Sequence, residues 1–193
     1  MRPATNALGI LLTAAVIATY GAGCAKARTY QNPNMDFASV RTVVVLPFWN
    51  LSRDQQGGDR VRDVFVNALL ATNAVYVVPT GEVGRAISRL NLQAPSTPAP
   101  DDVVKLCSML KADAVIAGVL KEYGEVRTAS STADVVSMSV QMFEGATGKV
   151  VWSGSSSAGG VGWGARLLGS AGGRPVNEVT EEAVDDLLGQ LFR

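Results

Sequence analysis

The hydrophobic pattern of this chain alternates between runs typical of buried strands and spacings typical of helices. Thr42–Leu46 is a mostly β-branched run closed by a proline, which predicts a strand buried on both faces. A helical face follows, with apolar residues at offsets 0, 3, 4, 7 and 8 from Val61. Because Gly57 and Gly58 are poor helix formers, we expect this helix to begin near Asp59.

The middle of the chain continues this alternation. Val75–Val78 predicts a second strand, again closed by a proline. Two helical faces follow, and we expect Thr80 to cap the first helix and Asp101 to cap the second. The proline-rich residues 94–100 lie between them, which predicts a stiff, exposed loop.

The third part of the chain predicts three more strands. Ala114–Leu120, continuing to Tyr123, is a buried run, and we expect a loop at residues 130–132 after it. Val136–Phe143 alternates apolar and polar residues as a half-buried strand does. A glycine-containing turn then leads into Lys149–Trp152, which predicts a β-hairpin.

A final helix has apolar residues at offsets 0, 3, 7, 11 and 15 from Val176. The predicted element order is β-α-β-α-α-β-β-β-α. The first half forms βαβ units and the second half an antiparallel meander, so the sequence predicts a single α/β domain over residues 39–193, a mixed β-sheet with packed helices. The order of the strands within the sheet stays open.

The amino terminus has the pattern of a secretory signal. Ala7–Ile17 is apolar but shorter than a membrane-spanning helix needs. Three small residues then precede Cys24, an order that resembles a bacterial lipobox, after which the cysteine is acylated. We therefore expect a signal peptide over residues 1–23, and a lipidated cysteine with a short tether over residues 24–38. Cleavage after Ala27, which would release a soluble secreted protein, is the alternative.

Charge and composition argue against several classes of function. Seventeen Lys and Arg balance 17 Asp and Glu, so there is no basic excess for binding nucleic acid. The chain has no histidine, which removes the Ser-His-Asp and Cys-His arrangements and the usual zinc sites. Cys107 lies on an apolar helical face and is expected in the core.

Adjacent carboxylates occur in three places, Asp101-Asp102, Glu181-Glu182 and Asp185-Asp186. Neighbouring residues on a helix do not face each other, so these pairs do not form the acid and base of a catalytic site. We therefore expect that the protein is not an enzyme. We also expect no catalytic, cofactor-binding or metal-binding residue, no nucleic-acid partner and no small-molecule substrate.

Four large apolar residues are candidates for contact with a partner. Trp49 follows the first strand, at the end where open α/β sheets bind ligands, and is either core or a surface anchor. Trp163, Leu167 and Leu168 lie in the glycine- and serine-rich segment Ser153–Gly173. They either cover the sheet or contact another subunit or the membrane interface. We expect this segment to be an interaction element outside the core.

Several short segments, in the same order, resemble a known group of bacterial envelope lipoproteins. These segments are Val43–Phe48, Phe65–Leu70, Val75–Val78, Lys111–Gly118 and Thr147–Gly154. Together with the lipoprotein signal they are similar to the curli secretion channel (CsgG-like) family and its relatives. Those relatives include the penicillin-binding-protein activator (LpoB-like) lipoproteins and a neisserial group of envelope lipoproteins.

The resemblance implies a compact α/β domain on the periplasmic face of the outer membrane, with no catalytic residues to carry over. We expect a non-catalytic binding or assembly module, anchored through Cys24, that forms a homo-oligomer or joins an envelope secretion complex. An activator of a peptidoglycan synthase is the alternative, although its reach through the wall calls for a longer linker. The chain lacks the paired alternating strands of pore-forming members, so we do not expect a channel by itself.

Overall fold

A seven-stranded mixed sheet carries four α-helices in the computed structural model, which describes residues 29–128, 131–160 and 174–192. In chain order the strands are β1 Tyr30–Gln31, β2 Thr42–Val45, β3 Trp49–Asn50, β4 Tyr76–Val77, β5 Ala114–Thr128, β6 Ser131–Glu144 and β7 Val150–Gly159. The helices are α1 Gly57–Ala71, α2 Thr80–Leu90, α3 Pro100–Leu110 and α4 Val176–Leu191, and a short 3-10 turn spans Phe37–Ser39.

The strand order is β1-β7-β6-β5-β2-β4, and β3 pairs with β5 beyond the end of β2. β2 pairs in parallel with β4 and β5, as βαβ connections require, whereas β5, β6 and β7 form an antiparallel meander. The predicted fold class, a single α/β domain with a mixed sheet and packed helices, is confirmed. The short strands β1 and β3 are additions to the predicted order.

The helices cover the two faces of the sheet unequally. α1 and α4 pack over one face and enclose the larger core, whose sheet residues include Val43, Ile116, Met138 and Trp152. α2 and α3 pack on the other face, where the core residues of the sheet include Val44, Val115 and Phe143. Most residues of β6 and β7 do not belong to this second core. Among the described residues, no helix covers these two strands on the second face of the sheet.

The residues before β2 already belong to the folded domain. Tyr30 pairs with Ser153 of β7, and the Asn32 N–H donates to the Val151 carbonyl at 2.8 Å. The Thr29 hydroxyl donates to Gln190 Oε1 of α4 at 2.9 Å. Residues 29–32 therefore contact the domain, which the sequence does not reveal because a strand of two residues has no periodicity. The first residues of the predicted tether, 24–28, lie outside the described residues.

The β5–β6 hairpin is longer than the sequence predicts. Its strands pair to Thr128 and Ser131, although a loop is expected at residues 130–132. Beyond Val135, which is opposite Gly159, the hairpin extends past β7. Most described residues of this tip are exposed, and only Ala133 is buried, so there is no apolar alternation to read.

β7 continues through the first part of the segment expected to lie outside the core, so that prediction is wrong for Ser153–Gly159. Trp152 is buried, and a Cβ on Gly154 would lie 2.6 Å from its ring. Gly154 is therefore a packing residue rather than a sign of irregular chain. The remainder, residues 161–173, lies outside the described residues.

The helix starts differ from the predicted ones for local reasons. α1 begins at Gly57, two residues before Asp59. Gly58 is needed for packing, because a Cβ there would lie only 3.2 Å from the Phe48 carbonyl oxygen. Pro79 and Ala99 occupy the positions before α2 and α3, so Thr80 is not a cap. Asp101 is not a cap either, and lies in the first turn of α3, where its charge is favourable.

Among the described residues, no helix has both the length and the hydrophobicity needed to cross a bilayer.

Candidate interaction surface

Phe48 and Trp49 point to opposite sides of the sheet, as successive strand residues do. Phe48 is 5% exposed, and its ring centroid lies 5.7 Å from that of Phe65. It also fills the space above Gly118, where a Cβ would lie 2.7 Å from the Phe48 ring. Trp49 is 48% exposed. Phe48 is thus core and Trp49 is surface, and a partner for Trp49 stays a prediction.

Hydrogen bonds hold the loop that follows Trp49. The Asn50 side-chain amide donates to the Asp54 carbonyl at 2.7 Å, and its oxygen accepts from the Ser52 hydroxyl at 2.7 Å. The Gln56 N–H donates to Asp54 Oδ1 at 2.8 Å. Because these bonds fix the loop backbone, Trp49 is presented from a defined position.

Trp49 lies at one side of the open sheet face. Strand register places it in a row across the sheet with Val119, Ser139 and Ser155. The next row contains Ala117, Gln141, Ser153 and Tyr30. A groove of about 350 Å³ lies between this face and the loop at residues 96–98, and none of the described residues that line it is charged. The surface therefore offers hydroxyl, amide and aromatic groups, suited to contact rather than to catalysis.

Cys107 lies on the buried face of α3 and belongs to the core, as its helical position predicts. It is 5% exposed and borders a groove of about 540 Å³ that Asp113 and Glu144 also line. Burial, with a smaller contribution from Asp113, raises the pKa of the Cys107 thiol to about 11. The Asp113 carboxylate accepts the N–H groups of Arg41 and Thr42, each at 2.8 Å. The thiol is consequently a poor nucleophile at neutral pH.

We expect Cys107 of the folded protein to react with a thiol reagent such as DTNB at pH 8 at least about a hundredfold more slowly than in the unfolded protein. A pKa of about 11 instead of the usual 9.0 lowers the thiolate fraction by about this factor, and burial slows access further. Stopped-flow absorbance on the Cys24→Ser variant, with and without denaturant, measures the ratio. Equal rates would contradict the buried position.

The adjacent carboxylates do not converge on a site. Asp101 and Asp102 lie in the first turn of α3, and the other two pairs lie on the exposed face of α4. Among the described residues, no three His, Cys, Asp or Glu side chains are placed to hold a metal ion. These residues contribute surface charge.

Arg62 is a structural residue that the sequence does not reveal. It lies on α1, and its Nη2 donates to the Val45 carbonyl at 2.7 Å, at the end of β2. Its Nε is buried and has no hydrogen-bond partner among the described residues, and burial lowers the pKa of the guanidinium. Arg62 ties α1 to the sheet near Trp49. In the sequence, only its position directly after Val61, on the apolar face of the helix, hints that Arg62 lies near the core.

Cys24, Trp163, Leu167 and Leu168 lie outside the described residues, so their predicted roles stay predictions.

Solved structures share this fold. Lipoprotein GNA1162 from Neisseria meningitidis has a TM-score of 0.57 at 21% identity, covering 79% of this chain and 98% of that chain. The PelC dodecamer from Paraburkholderia phytofirmans has a TM-score of 0.57 at 17% identity, covering 86% and 95%. The LpoB C-terminal domain from Escherichia coli has a TM-score of 0.49 at 16% identity, covering 64% and 86%, too low a likeness to bear on function.

A sequence comparison gives the family. No curated protein matched the chain. Residues 32–181, well over half of the chain, match the family described as "Putative lipoprotein GNA1162-like". The neisserial lipoprotein part of the predicted resemblance is therefore confirmed, and the curli-channel part stays a prediction. The chain belongs to the GNA1162-like lipoprotein family.

Proposed function

We propose that this protein is anchored by lipid on Cys24 to the periplasmic face of the outer membrane, where several copies form a non-catalytic assembly module. The observation that carries the proposal is the position of β1, which begins the folded domain at Tyr30 and pairs with β7. Only a few residues separate this strand from the predicted lipid. Membership of a lipoprotein family supports the anchor.

The distance from anchor to domain can be bounded. Five peptide steps lead from Cys24 to Thr29, and at about 3.3–3.6 Å each they span at most about 18 Å. Thr29 is tied to Gln190 and Asn32 to Val151, so the domain cannot swing away on a long linker. A lipid on Cys24 would hold the β1–β7 edge close to the bilayer.

This geometry favours work at the membrane surface over the alternative, activation of a peptidoglycan synthase. An activator anchored in the outer membrane needs a linker long enough to cross the wall. Among the described residues, the chain already contacts the domain at Thr29, five residues after Cys24. The low likeness to the LpoB domain adds no argument for the activator.

Two observations support assembly in several copies. PelC, which shares the fold, is a dodecamer. The described surface also carries half-exposed aromatic residues, Trp49 and Tyr30, at the two sides of an uncharged sheet face. Exposed aromatic groups on rigid strands are common anchors of protein interfaces.

The chemistry of the described residues supports a role without catalysis. The Cys107 thiol is buried and its pKa is raised, and Asp113 is engaged by two backbone N–H groups. The chain also has no histidine, the side chain whose unperturbed pKa best suits a general base near neutral pH. The protein would therefore act through its surfaces.

Replacing Cys24 by serine tests the anchor. We expect wild-type protein in cells to incorporate labelled palmitate and to sediment with outer membranes, because acyl chains contribute about 0.8 kcal/mol per buried CH₂. Cys24→Ser should lose the label and appear in the soluble fraction. Cys107→Ala is the matched control and should keep both label and membrane location. Unlabelled, soluble wild-type protein with its mature end near Thr29 would refute the lipid anchor.

A further inference from the structure

The exposed face of α4 is uniformly acidic. Its solvent-facing charged residues are Glu178, Glu181, Glu182, Asp185 and Asp186, and Val176–Leu191 contains no Lys or Arg. Arg174, just before the helix, pairs with Glu182 alone. Four carboxylates therefore face solvent with no ion pair among the described residues.

A face with a net positive charge lies on α2, where the exposed Glu82 of the first turn is followed by two arginines. Arg85 and Arg89 are exposed and four residues apart, so they lie on the same side of the helix. Neither forms an ion pair within the part of the chain that the structure describes. A Cβ on the neighbouring Gly84 would meet nothing within 4 Å. Both arginine side chains are thus exposed to solvent.

The two faces cannot meet within one molecule. α4 packs on β6 and β7, near the β1 edge of the sheet. α2 packs on β2, near the β4 edge, and on the opposite face. The chain as a whole is neutral, with 17 basic and 17 acidic residues, so its charge is segregated rather than in excess. Such an arrangement lets one copy satisfy the charges of another.

We propose that the acidic face of α4 in one copy docks on the Arg85–Arg89 face of α2 in a second copy. This inference rests on the proposed assembly in several copies and names its contact. The two surfaces differ, so the contact is head-to-tail, and each copy keeps one free α4 face and one free α2 face. Repetition of the contact builds a ring, or a filament where the rotation does not close.

The contact has an electrostatic signature. Opposite charges on the two helices orient the copies and exclude a like-charged approach of α4 to α4. Salt screens exposed charges over about 8 Å at physiological ionic strength, so raising the salt should weaken association. An apolar interface would show little such dependence.

A charge-exchange experiment tests the docking on the full lipidated protein extracted in mild detergent. One variant carries Glu181→Lys and Asp185→Lys, and the other carries Arg85→Glu and Arg89→Glu. We expect each alone to associate at least about tenfold more weakly than wild type, because like charges then face each other. Mixed in equal amounts they should assemble, since the reversed α4 of one variant matches the reversed α2 of the other.

Controls separate the possible failures. Arg53→Glu with Lys149→Glu makes the same charge change as the α2 variant, at two other exposed positions, and should leave assembly unchanged. Circular dichroism melts confirm that all variants fold. Unchanged assembly of both reversed variants, or weakened variants that do not recover on mixing, overturns this docking while wild-type assembly still stands. Wild-type protein that stays monomeric overturns the proposed function itself, and this docking with it.

Discussion

Replacing Trp152 by alanine lowers the free energy of unfolding by about 3–5 kcal/mol, the range for deleting a buried aromatic side chain. Trp152 is 1% exposed and joins the core between the sheet and α4. Its ring lies against Gly154, which has no side chain to fill the space left behind. Denaturant melts followed by circular dichroism measure the loss.

Two matched variants test the reason for this effect. Trp152→Phe should cost well under half as much. It keeps an aromatic ring and removes a buried Nε1 that has no hydrogen-bond partner in the described part of the chain. Trp49→Ala should change the free energy by no more than about 0.5 kcal/mol, as exposed substitutions usually do. Equal losses at Trp152 and Trp49 would contradict the assignment of one to the core and the other to the surface.

Replacing Gly148 by alanine should cost at least about 2 kcal/mol, since it imposes both backbone strain and a steric clash. Gly148 has a φ of +67°, and a Cβ there would lie 2.3 Å from the Pro100 carbonyl oxygen at the start of α3. With a side chain at Gly148, either the turn between β6 and β7 or the first residue of α3 would have to move. Thermal and denaturant melts give the size of the loss.

Gly124→Ala is the control for strain without a clash. Gly124 has a φ of +101°, but a Cβ there would meet nothing within 4 Å. The expected loss is about 1 kcal/mol, from the disfavoured backbone conformation alone. A loss at Gly148 no larger than that at Gly124 would show that the approach to Pro100 is less tight than the structure has it.

Elements with a long apolar repeat were predictable from the sequence. The apolar run after Thr42 is buried and most of it forms β2, and the spacing from Val176 predicts α4. β1 and β3 have two residues each, too short for any period, and they form because β7 and β5 offer unpaired edges. These strands depend on contacts distant in the chain, which local pattern does not report.

The candidate surface was only partly predictable. Trp49 follows the first strand, and its position at the sheet end is readable from the sequence. The open face beside it is not, because it depends on where α2 and α3 pack across the sheet. The acidic pairs of α4 are visible as residue types, yet their complement on α2 emerges only when the fold places the two helices on opposite faces.

Native mass spectrometry of the wild-type protein, extracted from its own membranes in mild detergent, tests the central claim most directly. The complex mass gives the number of copies, and the subunit mass gives the modification of each chain. We expect a complex of several copies, each equal to the chain from Cys24 to Arg193 plus attached acyl groups. A single chain of unmodified mass would contradict both the lipid anchor and the assembly.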